Sequence, residues 1–312
     1  MTSLLALFGC ERGLVKPIEC TVSLAEENTF RAGEPVTFNI DGNADNIIFY
    51  SGETGHQYVY KDRFIVPVEE VNSAVLNLQM WSQYGNAGAM SIYISNSFEG
   101  LNGEDGEADR ATIRSMIEGG MSGWTQIPYT DDKSAAEYVA QDPVDLASFM
   151  DNFSLAFHWN PAAYTATQRT YRAKGDIAID ITGSVPSSID LSTLDWTVVM
   201  MNEQLDPYHM NAGNGSVRLD QLSSNGIVFQ GIGANQLDYS LDAWVISTPR
   251  ALNRVANDQP VVVKNMQNYL GSYTYTYNEP GTYTATFVSV NSNVDGESEI
   301  TQQIEITILP NE

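Results

Sequence analysis

Tyr273-Thr274-Tyr275-Thr276-Tyr277 and Tyr283-Thr284-Ala285-Thr286-Phe287-Val288 stand on either side of Asn278-Glu279-Pro280-Gly281. In both runs aromatic or apolar residues alternate with threonine. This is the period of two of a half-buried strand, built from residue types that suit a pleated surface. Between them Pro280 presets φ for a turn and Gly281 accepts a positive φ, so the segment predicts a hairpin. Working outward, short alternating runs recur at 19–24, 35–40, 47–50, 74–80, 90–94, 154–159, 176–181, 196–200 and 243–246, separated by Gly, Asn, Asp and Pro. Helical spacing is confined to 110–117 and 134–139. The pattern predicts an all-β protein built of sandwiches.

A leader and three sandwich regions follow. Residues 1–17 read as a leader and linker, 18–73 as a first small sandwich, 74–250 as a larger sandwich with long loops, and 251–312 as a terminal one. The last is short for an immunoglobulin-like domain of about 100 residues, so its strands either stand alone or complete the first region. Fifteen Lys and Arg face 39 Asp and Glu, a net charge of −24. A chain so acidic offers no basic face to phosphates, which excludes nucleic acid as a partner. The 43% hydrophobic content is that of a folded chain.

Leu7-Phe8-Gly9-Cys10 resembles a bacterial lipobox, which implies a lipid on Cys10 and attachment to a membrane through that lipid alone. The alternative for the two cysteines is a Cys10–Cys20 disulfide. Two cysteines support neither a disulfide scaffold nor a Cys-rich zinc site. Phe30 to Phe38, with Gly42, Asp45 and Phe49 to His56, resembles the opening domain of Bacteroidetes-type extracellular lipoproteins linked to outer-membrane glycan uptake. The 273–288 segment resembles the end of a PKD-type immunoglobulin-like domain. Met80-Trp81-Ser82-Gln83-Tyr84-Gly85, residues 91–100, Gly123-Trp124-Thr125-Gln126-Ile127, Val144-Asp145-Leu146 and Leu155-Ala156-Phe157 resemble a jelly-roll anchor or adhesin module, with Asn96 where that pattern has Asp. The resemblances imply immunoglobulin or PKD-like sandwiches flanking a central jelly roll. They also imply a location at the outer membrane or cell surface, or otherwise secreted or periplasmic, beside components of an outer-membrane transporter.

No constellation of catalytic residues stands out. His56, His158 and His209 are isolated, and there is neither an H-E-x-x-H run nor a G-x-S-x-G elbow. Glycoside hydrolysis needs two carboxylates about 5–10 Å apart, and among 39 acids adjacent pairs single out nothing. Calcium is the one metal the residues favour. Asn102, Glu104, Asp105, Glu107 and Asp109, set among flexible glycines, form the better candidate loop, and Asp41 to Asp45 the second. A sugar ring presents a C–H face that stacks on aromatics while polar side chains take its hydroxyls. The candidates for that role are Tyr164 and Tyr208 in loops, with Trp81, Tyr84, Trp124, Trp159 and Asn160. For Trp81, Trp124 and Trp159 a place in the core is the competing reading, and Trp196 and Trp244 read as core. The expectation is a non-catalytic protein that binds a polysaccharide or oligosaccharide. An adhesin-like module for protein partners is the alternative, and a glycoside hydrolase or lyase the third.

Overall fold

The computed structural model describes residues 15–132, 136–161 and 163–311. Cys10 and its lipobox lie outside them. The protein is all-β, and its described residues form two compact units: 15–64 with 256–311, and 65–255.

The chain opens with β1 (Cys20–Leu24), β2 (Thr29–Arg31), β3 (Pro35–Gly42) and β4 (Asn46–Tyr50). Along β3 the alternate residues Val36, Phe38 and Ile40 are buried, as strand periodicity requires. The chain then leaves this unit for 65–255. There it forms β5 (Val71–Gln83), β6 (Met90–Ser95), helix α1 (Gly106–Glu118), β7 (Trp124–Ile127), β8 (Val139–Ala140), β9 (Val144–Asp145), β10 (Ser154–Trp159) and β11 (Thr170–Ile181). β12 (Ser187–Asp190), β13 (Trp196–Met200), β14 (Ser216–Arg218), the single turn α2 (Leu222–Asn225), β15 (Ile227–Gln230) and β16 (Ala243–Ser247) complete the larger unit. β17 (Val261–Lys264), β18 (Ser272–Thr276), β19 (Gly281–Asn293) and β20 (Gly296–Leu309) return to the first.

The smaller unit has a three-stranded sheet, β1-β3-β18, and a five-stranded one, β17-β4-β19-β20-β2. Phe38, Phe49 and Phe287 meet in its core, with ring centroids 4.8 to 5.7 Å apart. β2 runs parallel to β20, so an early and a late strand lie side by side in one sheet. The hairpin expected around Pro280 is corrected here. β18 pairs with β3, whereas β19 pairs with β4 and β20. The turn therefore carries the chain from one sheet to the other. Tyr277 fills the crossing: it is fully buried, donates its hydroxyl to Ser51 O at 2.8 Å and stacks on Tyr283 at 4.6 Å.

The larger unit is a second sandwich. One sheet is ordered β13-β16-β10-β6-β7. The other is ordered β14-β15-β11-β5-β8, with β12 added to β11 and β9 to β5. Leu76, Leu78 and Ile177 from one sheet share a core with Ile92, Leu155, Phe157 and Val245 from the other. Alternation leaves Ala156, Val199, Trp244 and Ile246 on the opposite face of the five-stranded sheet, where they would meet water. Helix α1 covers them through Ile113 and Met116. Of the two helices expected, α1 contains the first. The second, 134–139, lies partly outside the described residues, and its last residue, Val139, begins β8.

Asp131 ties the turn after β5 to the sandwich. Its carboxylate accepts from Ser82 Oγ at 2.8 Å, Gly88 N–H at 3.1 Å, Tyr171 Oη at 2.8 Å, and Arg169 Nε and Nη2 at 2.9 and 2.8 Å. The same guanidinium donates to the carbonyls of Tyr84 and Gly85.

Candidate functional site: the groove beside helix α1

Asp105 starts α1 as its N-cap, its side chain accepting Ala108 N–H at 3.1 Å, and Glu107 and Asp109 follow in the first turn, where the helix dipole favours acids. At the other end Gly120 and Met121 take φ of 66° and 59°, and Met121 N–H reaches back to Met116 O. This left-handed exit turns the chain toward β7. Gly123 has φ of 80°, which favours glycine, and a Cβ there would lie 2.4 Å from Ser97 Oγ, which would have to rotate away. Ser95 Oγ donates to Gly123 O at 2.7 Å and accepts from the N–H groups of Ser97 and Phe98 at 3.1 and 3.0 Å. The two turns fit together, and the rings of Phe98 and Trp124 come within 5.1 Å.

A cavity of about 660 Å³ opens between this pair of turns and α1. Half-buried Trp124 supplies aromatic surface, backed by the buried ring of Phe98, and Met116 an apolar side. Thr112, Ser115, Ser97 and Ser122 supply hydroxyls, and Glu99 an exposed carboxylate. Thr112 Oγ1 already donates to Ala108 O, whereas the hydroxyls of Ser97, Ser115 and Ser122 make no hydrogen bond among the described residues. An aromatic wall beside free hydroxyls and one carboxylate matches the two surfaces of a sugar, its C–H face and its hydroxyls.

The loop expected to hold calcium caps and braces α1. Asp109 is buried and accepts the N–H groups of Asn102 and Gly103 at 2.6 and 3.0 Å and the hydroxyl of Tyr208 at 2.7 Å. Asn102 Oδ1 takes the N–H groups of Glu104 and Asp105, and Glu107 pairs with Arg110. The carboxylates of Asp105, Glu107 and Asp109 thus take separate protein donors. Among the described residues no group of three or more His, Cys, Asp or Glu could hold a metal ion. In the second acidic loop Asn43 Oδ1 accepts from Glu19 N–H, and Asp45 N–H donates to Asn291. Tyr208, expected as a free stacking residue, is half-buried against the layer under α1. Burial and its bond to Asp109 raise its pKa well above the ordinary tyrosine value.

The other aromatic candidates are dispersed. Trp159 has no exposed surface; its indole donates to Arg169 O at 3.3 Å and its ring lies 5.9 Å from Phe229, so it offers no face to a ligand. That corrects its reading as a site residue. Tyr84 is 58% exposed, in the turn that Arg169 holds, and Tyr164 is 37% exposed in a different loop. Asn160 reaches Asp242 at 3.4 Å, beside His158, whose ring stacks on Trp244 at 4.3 Å. Trp81 is half-buried on the outer face of the seven-stranded sheet, under the guanidinium of Arg172 at 4.5 Å.

Only Trp124 of the expected residues lines the groove beside α1. Phe98, Glu99, Ser115 and Ser122 escaped notice. The signal available was the Gly119-Gly120 and Gly123 punctuation just before a tryptophan, which marks a backbone turned tightly beside an aromatic. The family model of a domain of unknown function, DUF5017, matches residues 9–175, just over half of the chain. No curated protein and no solved structure matches significantly.

Proposed function

We propose that this chain, which belongs to the DUF5017 family, binds extracellular glycan without transforming it, and that the groove beside α1 is where a neutral sugar docks. The observation that carries this reading is the lining of that groove: Trp124 and Phe98 on one side, the free hydroxyls of Ser97, Ser115 and Ser122 around them. One carboxylate, Glu99, stands on the lining, whereas glycoside hydrolysis uses two, which favours capture over cleavage. The finer picture is part of the proposal. It is a Bacteroidetes-type lipoprotein anchored at the outer membrane or cell surface through Cys10, with PKD or immunoglobulin-like flanking modules, delivering polysaccharide to transporter components nearby.

The test replaces a groove residue that supports nothing. Ser115 is exposed on α1, so Ser115→Trp fills the groove while leaving the core intact. Affinity electrophoresis against a panel of neutral polysaccharides is expected to show retardation of the wild type by one class and its loss in Ser115→Trp, with the melting temperature unchanged. Equal retardation of both chains would remove the groove from the function. Absence of retardation by any polymer would overturn glycan binding in favour of a protein-binding surface module.

A further inference from the structure

Resting on that reading, we infer that the outer face of the seven-stranded sheet is a second saccharide site, one that takes a sugar bearing a carboxylate. Strand alternation builds this face. Leu78 and Met80 of β5 and Tyr171 and Ala173 of β11 enter the core, which leaves Gln79, Trp81, Arg172 and Lys174 on the other side. The register sets Trp81 opposite Arg172 and Gln79 opposite Lys174. Two cavities of about 470 and 440 Å³ lie on this face, and both are lined by Gln79 and Lys174. Lys174 therefore borders both.

Charge identifies the occupant. Four other arginines of this unit are in ion pairs, with Glu107, Glu203, Asp131 and Asp220. Arg172 and Lys174, about 7 Å apart along one strand, are in none among the described residues. They rest on rings instead: the Lys174 ammonium lies 4.1 Å from the centroid of Tyr138, and the Arg172 guanidinium lies over Trp81. Arg172 Nε is buried with no hydrogen-bond partner, although Nη1 reaches Asn225 at 3.4 Å. Of the nearby acids, Asp190 feels the charge of Lys174, and both Asp176 and Asp190 accept from other donors. Asp176 accepts Ser188 Oγ at 2.7 Å and Asn77 Nδ2 at 3.5 Å, and Asp190 accepts Ser192 N–H at 2.7 Å. Glu137 stands exposed on the rim. Lys174 shares its cavity with Asp190, whose charge it partly offsets, whereas Arg172 forms no ion pair among the described residues. In a chain of net charge −24, a cation so placed beside an aromatic ring selects an anionic group. The amide of Gln79 and the carboxylates of Asp176 and Glu137 around them suit hydroxyls. A uronic acid joins both chemistries in one ring.

The experiment runs the full chain through gels containing polygalacturonate, alginate or hyaluronate, with dextran sulfate and the neutral panel in parallel. Lys174→Met keeps the aliphatic stem and removes the charge. It is expected to weaken retardation by a carboxylated polymer about tenfold or more, the size of one charge-assisted hydrogen bond. Lys174→Arg is expected to restore it, and neutral polymers are expected to behave as with the wild type. Unchanged retardation in Lys174→Met, or none of the wild type by any carboxylated polymer, overturns the inference. Retardation by dextran sulfate alone overturns the carboxylate assignment. If Ser115→Trp rather than Lys174→Met abolishes binding of the acidic polymer, this second site falls while glycan binding stands; silence toward neutral and acidic polymers alike overturns both.

Discussion

Asp131 shows how one side chain holds a region in place. Burial by itself would raise its pKa, but the hydrogen bonds from Tyr171, Arg169, Gly88 and Ser82 outweigh that and hold the carboxyl below its ordinary value. A carboxylate with a depressed folded-state pKa contributes stability that is fully present above its unfolded pKa of about 3.9 and is lost as pH falls through the folded value. Asp131→Ala leaves Arg169, whose side chain is 2% exposed, without its counter-ion, and is expected to cost about 3–5 kcal/mol. Asp131→Asn is expected to lower the melting temperature at pH 7, with the gap to the wild type narrowing below about pH 4; thermal scans across that range check the sign. Single residues were also where sequence reading reached least far. The hydroxyl of Tyr208 is taken by Asp109, 99 positions away, and no local pattern announces that pairing. Trp159 and Trp124 read alike as aromatics beside polar loops. What separates them is their strand neighbours: Trp159 ends the inward series Leu155, Phe157, Trp159, whereas Trp124 opens β7 behind a glycine turn.

Elements were more legible. Strands β10 and β13 coincide with their alternating runs, and α1 extends the expected helical stretch by four residues before it and one after. The failure at Pro280 is instructive, because turn residues specify that a chain reverses without specifying whether the returning strand pairs with the departing one or crosses to a facing sheet. The alternation of β18 serves its ladder with β3, and only the facing core of Phe38, Phe49 and Phe287 decides the crossing. The groove beside α1 depends on an element boundary in the same way. Gly123→Ala combines a positive φ with a contact on Ser97, and is expected to cost about 1–3 kcal/mol and to weaken neutral-glycan binding together with stability. Thermal melts and affinity gels on one preparation test the coupling. Loss of binding without loss of stability would show that the turn shapes the groove and does little for the fold.

At the scale of the whole molecule, the charge and the two-unit arrangement matter most. The net charge of −24 leaves cations scarce, which is why their placement on β11 is informative. Residues 65–255 contain both sheets of their sandwich and its core, and are expected to fold alone with one cooperative transition. Residues 15–64 contain four strands whose partners include β17, β18, β19 and β20, and are expected to stay unfolded without them. Circular dichroism and urea titration of the two fragments check both outcomes; a stable 15–64 fragment would contradict the pairing of β4 with β19. The parallel contact of β2 with β20 also sets a timetable. Between the appearance of β4 and of β18 the ribosome adds roughly 220 residues. At about 5–20 residues per second, β3 and β4 wait roughly 10–45 s for β18 and β19, and β2 longer still for β20, whereas β1 pairs with β3 at once. A nascent chain that has not yet reached β17 therefore displays the unpaired edges of β2, β3 and β4, which stay open to other strands until the later ones arrive.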